Sequence, residues 1–397
     1  MPLRRLHTVR RIVTASSLLT LLSASLAAYA QSEPPAETSP VAEAVAPEPV
    51  VDSTASDPVE NTDESAPGKT IEEAPVENTV EEVLVTGEQP GPGLWKVTSG
   101  EHTLWILGTY SPLPKKFKWR SKDVEVLIAE SQELLTAGDI DVDANIGFFK
   151  ALTLLPAALA VRKNPDGKTL EEVLPSEVYA KWLEVKKKYI GNDRGIEKFR
   201  PIFAALELTR EALKDSGLTN ENEVWPIVQK TAKRNKVRIT DPVAHIELRI
   251  DKPRDKLKQF AKAQMADVEC FSNTINTLDS ELDAMRQRAN AWAVGDIEAI
   301  ERLNQAREGE NCVQMLITAL IAGGDLTDDT GVNDFVRKMR TELEQAQKDM
   351  NEKWFAAVDN ALANNTTSFA VMSVGELVRP DGRLAKLKEK GYAVDPP

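Results

Sequence analysis

The hydrophobic pattern changes period along this chain. Gly93-Leu-Trp-Lys-Val-Thr98 and Thr103-Leu-Trp-Ile-Leu107 are apolar, β-rich runs separated by Ser-Gly-Glu-His. They predict a hairpin with a four-residue turn containing Gly100. Ser121 caps a short helix whose apolar positions Val124, Leu127 and Ile128 recur at helical spacing. Leu134-Leu135-Thr136 reads as a buried strand. From Gly147 onward the pattern is overwhelmingly helical. Phe148 to Val161 is apolar but carries Lys150 and Pro156 and is too short to span a bilayer, so it reads as a core helix or an exposed lid. Thr169, with Glu172 three residues on, predicts a capped single turn before Pro175. Helices are predicted over 176–189, 197–215, 222–234, 312–322 and 331–362, and a strand over Lys236 to Thr240. Val268, Phe271, Ile275, Leu278, Leu282 and Met285 repeat at three and four residues, marking a long helix with one core-facing stripe. Gly295 ends it and Asp296 caps the next. Ser368 to Met372 is the last strand, and Asp381 to Lys390 the last helix before Gly391-Tyr-Ala-Val394. Few strands, near both ends of a helical middle, imply an α+β fold: a mixed β-sheet built from N- and C-terminal strands and flanked by helices.

What precedes residue 92 has a different character. Residues 1–30 combine Arg4, Arg5, Arg10 and Arg11, an apolar stretch from Ile12 to Leu26, and Ala28-Tyr-Ala30. That order reads as a secretory signal peptide cleaved before Gln31. No cysteine near the cleavage site could take a lipid, and nothing in the mature chain is long and apolar enough to span a membrane. The expected location is therefore outside the cytoplasm, in the periplasm. Residues 31–91 hold Pro, Glu, Ala, Val, Ser and Thr without one aromatic side chain, and they carry 15 Asp and Glu against Lys69 alone. Such a segment cannot bury enough apolar surface to offset its ordering entropy, so it reads as a disordered acidic linker. The chain has 397 residues and a net charge of -13. With the linker and signal peptide set aside, residues 92–397 are close to neutral and form one large domain containing every Trp. No concentrated basic face supports nucleic-acid binding. Cys270 and Cys312 are the two cysteines. In an exported protein they read as a disulfide, which would stabilise by about 4 kcal/mol on the chain-entropy scale for a loop of this length, the alternative being two buried, reduced thiols too far apart to bond.

Two segments at opposite ends of the domain carry the candidate chemistry. They are Leu104-Trp-Ile-Leu-Gly-Thr-Tyr-Ser111 and Phe369-Ala-Val-Met-Ser-Val-Gly-Glu376, the second running on to Gly391-Tyr-Ala-Val394. These segments resemble the opening and closing motifs of the TraB/GumN family, related to the Tiki metalloproteases, and the resemblance covers about residues 93–397. It implies the α+β architecture and a metal site in which each of two strands ends in Gly-x-x-His, with an acidic residue at the end of an intervening strand. Here Ser111 and Glu376 stand at the histidine positions, and Ala137 aligns with the acidic one. The glycine of the first motif is Gly108, but that of the second is Ser373. The family's Arg-Asn pair on the preceding helix reads Met350-Asn351, followed by Trp354.

A catalytic zinc needs about three protein ligands and an open position for water. A serine hydroxyl stays protonated at neutral pH and alanine offers no donor, so no metal cofactor is expected. The alternative is a divalent metal held by oxygens of Glu133, Asp139, Asp141, Asp143 and Glu376 gathered at one sheet edge. The Asp139-x-Asp141-x-Asp143 run departs from a calcium loop at Ala144 and Lys150, and reads more simply as a half-exposed strand. His102 is placed in the hairpin turn as a surface residue, and His245 as half-packed. Ser111 beside Glu376 has no base to activate it as a nucleophile. The preferred functional reading is an exported, non-catalytic binding protein. Its remnant pocket comprises Gly108, Tyr110, Ser111, Ala137, Asn351, Ser373 and Glu376, and its partner is a peptide, a polymer or an envelope protein. An active hydrolase with a rearranged oxygen-ligated site is the second reading. The third is an adaptor acting through residues 31–91, where Val80-Glu-Glu-Val-Leu-Val-Thr-Gly87 resembles the coupling segment of TonB-dependent receptors or simply docks on the domain's own sheet.

Overall fold

Apolar runs at both ends of the domain build a single six-stranded sheet. The computed structural model describes residues 87–144, 146–221, 224–262, 267–305 and 330–397. The predicted signal peptide, nearly all of the predicted acidic linker, the segment at 80–86, the predicted helix at 312–322 and Cys312 fall outside these residues. The principal strands are β1 (Leu94–Ser99), β2 (His102–Thr109), β3 (Glu133–Leu135), β4 (Asp139–Asp143), β5 (Arg238–Thr240), β6 (Val243–Glu247), β7 (Thr367–Ser373) and β8 (Ala393–Asp395). The main sheet runs β8-β1-β2-β7-β3-β5. Its β8, β1 and β2 pair antiparallel, whereas β2, β7, β3 and β5 run parallel. The fold is α+β with a mixed sheet.

The hairpin turn is tighter than the four residues predicted. Ser99 pairs directly with His102, which leaves Gly100 and Glu101 as the turn, and Gly100 has a φ of 59°. That left-handed backbone is what a two-residue hairpin loop requires and glycine supplies. His102 consequently belongs to β2 rather than to a solvated turn. Its Nδ1 donates to the Asn365 carbonyl at 2.8 Å.

Helices fill the interval between strands. They are α1 (Lys122–Glu130), α2 (Phe148–Val161), α3 (Leu170–Val173), α4 (Ser176–Tyr189), α5 (Pro201–Asp215), α6 (Trp225–Arg234), α7 (Pro253–Lys262), α8 (Val268–Val294), α9 (Ile297–Gln305), α10 (Thr330–Asn364), α11 (Val374–Val378) and α12 (Arg383–Glu389). Local signals explain several of the ends. Thr169 and Glu172 make the reciprocal capping box of α3. Gly295 closes α8 in the left-handed region, and the Asp296 carboxylate accepts the Ala299 amide at 2.9 Å at the start of α9. α5 begins at Pro201 rather than 197, because proline suits the first helical turn.

Two large apolar cores form among the described residues, beside smaller clusters such as Ala244, Ile246 and Leu248 with Ala346 and Met350. One packs Val97, Leu104, Ile106, Leu134, Phe369 and Val371 of the sheet against Trp292 of α8 and Trp354 and Val358 of α10. The other is wholly helical, with Phe271, Ile275, Leu278 and Leu282 of α8 meeting Leu170, Trp182, Ala204 and Leu208. The predicted stripe of α8 therefore does face a core. α2 is the exposed alternative of its two readings: Leu154 is buried, but Phe149, Leu152 and Leu159 lie open, Phe149 at 82%. No described helix is long and apolar enough to cross a membrane.

Candidate functional site

Parallel pairing brings the predicted site residues to one end of the sheet. Gly108 is opposite Met372 and Thr109 opposite Ser373, so β2 and β7 finish side by side. Leu135 is opposite Ala370, and Ala137 follows two residues later. Gly108 is fixed by packing. A Cβ there would lie 2.7 Å from the Trp95 ring, and the Gly108 carbonyl accepts the Trp292 indole N–H at 2.8 Å. Gly138 has a φ of 95°, and a Cβ on it would meet Met350 and the Pro242 carbonyl at 2.9 Å. This close approach seats the end of β3 against α10.

A side chain outside the predicted set organises the site. Arg383, at the start of α12, is 5% exposed. Its Nη2 donates to the Ala137 carbonyl at 3.0 Å and to Asn351 Oδ1 at 3.3 Å, and it lies 3.3 Å from Glu376 Oε2. The guanidinium stacks over Trp354 with 4.4 Å to the ring centroid. Three of the predicted residues thus meet through one cation. Burial pushes the Glu376 carboxyl above the usual carboxylate range, against the opposing pull of Arg383 and Arg379. Burial likewise lowers Arg383, opposed by the charge of Glu376.

The other predicted residues go elsewhere. Ser111 is exposed and donates to Asn220 Oδ1 at 3.4 Å. The Tyr110 hydroxyl accepts from Arg288 Nε at 3.3 Å. Ser373 is the N-cap of α11 without making a side-chain cap bond. Cys270 is buried beside Ile202, and the expected pairing with Cys312 falls on a residue outside the described ones.

The oxygen-ligated arrangement does not assemble. Glu133 pairs in register with Ser368 at the opposite end of β7, roughly 17 Å from the Ser373 end at ~3.3 Å per residue. Glu133 is 3% exposed and saturated by its neighbours. Arg238 Nη2 donates at 2.6 Å and Asn365 Nδ2 at 2.8 Å, and the Thr240 hydroxyl donates as well. Burial raises its pKa, but these bonds and the Arg238 charge together outweigh it and hold the carboxyl below its ordinary value. Asp139, Asp141 and Asp143 project from β4, which pairs only with β6 in a two-stranded parallel ribbon. They alternate outward as a half-exposed strand should. His245 on β6 is exposed rather than half-packed, with Nδ1 3.3 Å from Asp141 Oδ2.

A model of the TraB/PrgY/gumN family matches residues 93–396. The chain belongs to this family. No curated protein and no solved structure matches it. Within the family framework, the metal that the resemblance implies meets an unsuitable donor set. Ala137 offers only a backbone oxygen, Ser111 a neutral hydroxyl turned to Asn220, and Glu376 a carboxylate already paired with a guanidinium. Zinc requires ligands at about 2 Å, of the His, Cys or carboxylate type. Among the described residues, no three such side chains converge. The residues present do not fit the metal.

The sequence did carry one signal for Arg383. It lies seven residues after Glu376 in the closing motif, within Arg-Pro-Asp-Gly-Arg-Leu. A basic residue at an otherwise apolar helix start, one short loop after a carboxylate at the motif position, is the kind of charge compensation that burial demands.

Proposed function

We propose that this TraB/PrgY/gumN family member is an exported envelope protein that binds a partner instead of cleaving it. One observation carries this reading: the carboxylate at the second motif position is neutralised by the chain's own Arg383, which also holds the Ala137 carbonyl and Asn351. An internal guanidinium therefore satisfies groups that would otherwise face a metal ion. The sheet framework around it is well packed, with Gly108 against the Trp95 ring and Trp292 and Trp354 in the core. A packed scaffold in which, among the described residues, no three metal-ligating side chains converge is suited to recognition of a peptide, a polymer or an envelope protein.

Elemental analysis of the purified chain after incubation with zinc, manganese and cobalt tests the reading. It expects no stoichiometric metal, and one ion per chain would refute it. Replacing Glu376 by Ala separates the hydrolase alternative, which requires loss of turnover, from the binding reading, which requires only altered affinity.

A further inference from the structure

We infer that the Arg383 centre recognises a carboxylate group on its ligand. The inference deepens the binding reading and rests on it. All the hydrogen bonds of the Arg383 side chain, and its approach to Glu376, are made through Nη2. Nη1 is buried and has no hydrogen-bond partner among the described residues. Trp354, fully buried and in stacking contact with the same guanidinium, has its Nε1 buried without a partner as well. Buried donors are nearly always paired, and an unpaired one costs about 1–3 kcal/mol, more when charged. Two such donors on side chains stacked against each other mark a place short of acceptor oxygens.

The number and type of donors select the ligand. Both groups are donors only, and a charged N–H beside an indole N–H is best satisfied by an anionic acceptor oxygen. Two nitrogens suit the two oxygens of a carboxylate. A tetrahedral phosphate dianion would bring more oxygens than these two donors can satisfy. Arg379 reinforces the preference for an anion, since its charge acts on both Glu376 and Arg383. Both nitrogens lie below the surface, so an arriving carboxylate has to part the side chains above them.

The test follows the indole N–H signals of the full chain by 1H–15N NMR, with Trp354 assigned from the Trp354→Phe spectrum. Three probes are added: acetyl-Ala-Ala with a free carboxylate, the same peptide amidated, and amidated acetyl-Ala-Glu. The free acid is expected to shift the Trp354 signal and the neutral amide to leave it in place. A response to the Glu peptide equal to that of the free acid assigns the recognised group to an acidic side chain. A weaker response assigns it to a chain terminus. Affinity should fall by at least about tenfold in Arg383→Gln, a loss of roughly 1.4 kcal/mol. No shift with any carboxylate at millimolar concentration, or equal shifts by acid and amide, overturns the proposal. The acid and amide comparison on the unsubstituted protein stands even if Arg383→Gln fails to fold. Metal content measured on the same sample reports separately on the binding reading.

Discussion

Replacing Arg383 by Met removes a buried cation while keeping much of its length. The guanidinium faces Glu376, whose side chain is 9% exposed, and it holds Ala137 and Asn351. Breaking a buried pair by deleting one partner costs about 3–5 kcal/mol, because the other charge is left uncompensated. Loss of the stacking on Trp354 contributes within that range. At about 2–4 °C per kcal/mol for a domain of this size class, Tm should fall by roughly 6–20 °C. Glu376→Gln retains the shape and should cost less, about 2 kcal/mol, since Arg383 keeps two other acceptors. The decisive quantity is the coupling. Combining the two replacements removes both charges together, so the double variant should be more stable than the sum of the single losses predicts, by about 1–3 kcal/mol. Urea denaturation followed by tryptophan fluorescence supplies all four free energies. Additivity within about 0.5 kcal/mol would refute the claim that these residues act as one buried unit.

Two further outcomes follow from the sheet. The Glu133 carboxyl is held below its ordinary pKa, so its stabilisation is complete above that value and is lost as pH falls through the depressed folded-state pKa. Glu133→Gln should therefore flatten the acid limb of a stability-versus-pH curve, and an unchanged limb would contradict the assignment. Gly108→Ala places a Cβ 2.7 Å from the Trp95 ring and should destabilise by about 1–3 kcal/mol in the same urea assay, through overpacking and not through loss of a functional group.

Periodic stretches were the legible part of this chain. The stripe of α8, the capping box at Thr169 and the strand pair at the start of the domain are local patterns, and each formed where the residues indicated. Elements set by tertiary pairing were not legible. α11 is only five residues long, and β8 is a three-residue strand that exists because it pairs with β1. The aspartates of β4 were readable as an alternating strand, but nothing local told that their partner is β6 and not the main sheet. For the site, motif spacing located Ala137, Asn351 and Glu376 individually. Their connection through Arg383 depends on the end of β3, the interior of α10 and α11 converging on the start of α12, and residues 137, 351 and 376 are too far apart in sequence for any local pattern to express it.

The position of β7 has a consequence for how the molecule is made. This strand comes from the last 31 residues, yet it lies between β2 and β3 in the middle of the sheet. A chain lacking those residues has its β-structure divided into a hairpin on one side and a β3-β5 pair on the other, each with an open edge. Closure has to wait for sequence-distant pairing, which makes assembly slow relative to helix formation. Truncation before Thr367 should accordingly leave separate fragments prone to self-association instead of a smaller version of the fold.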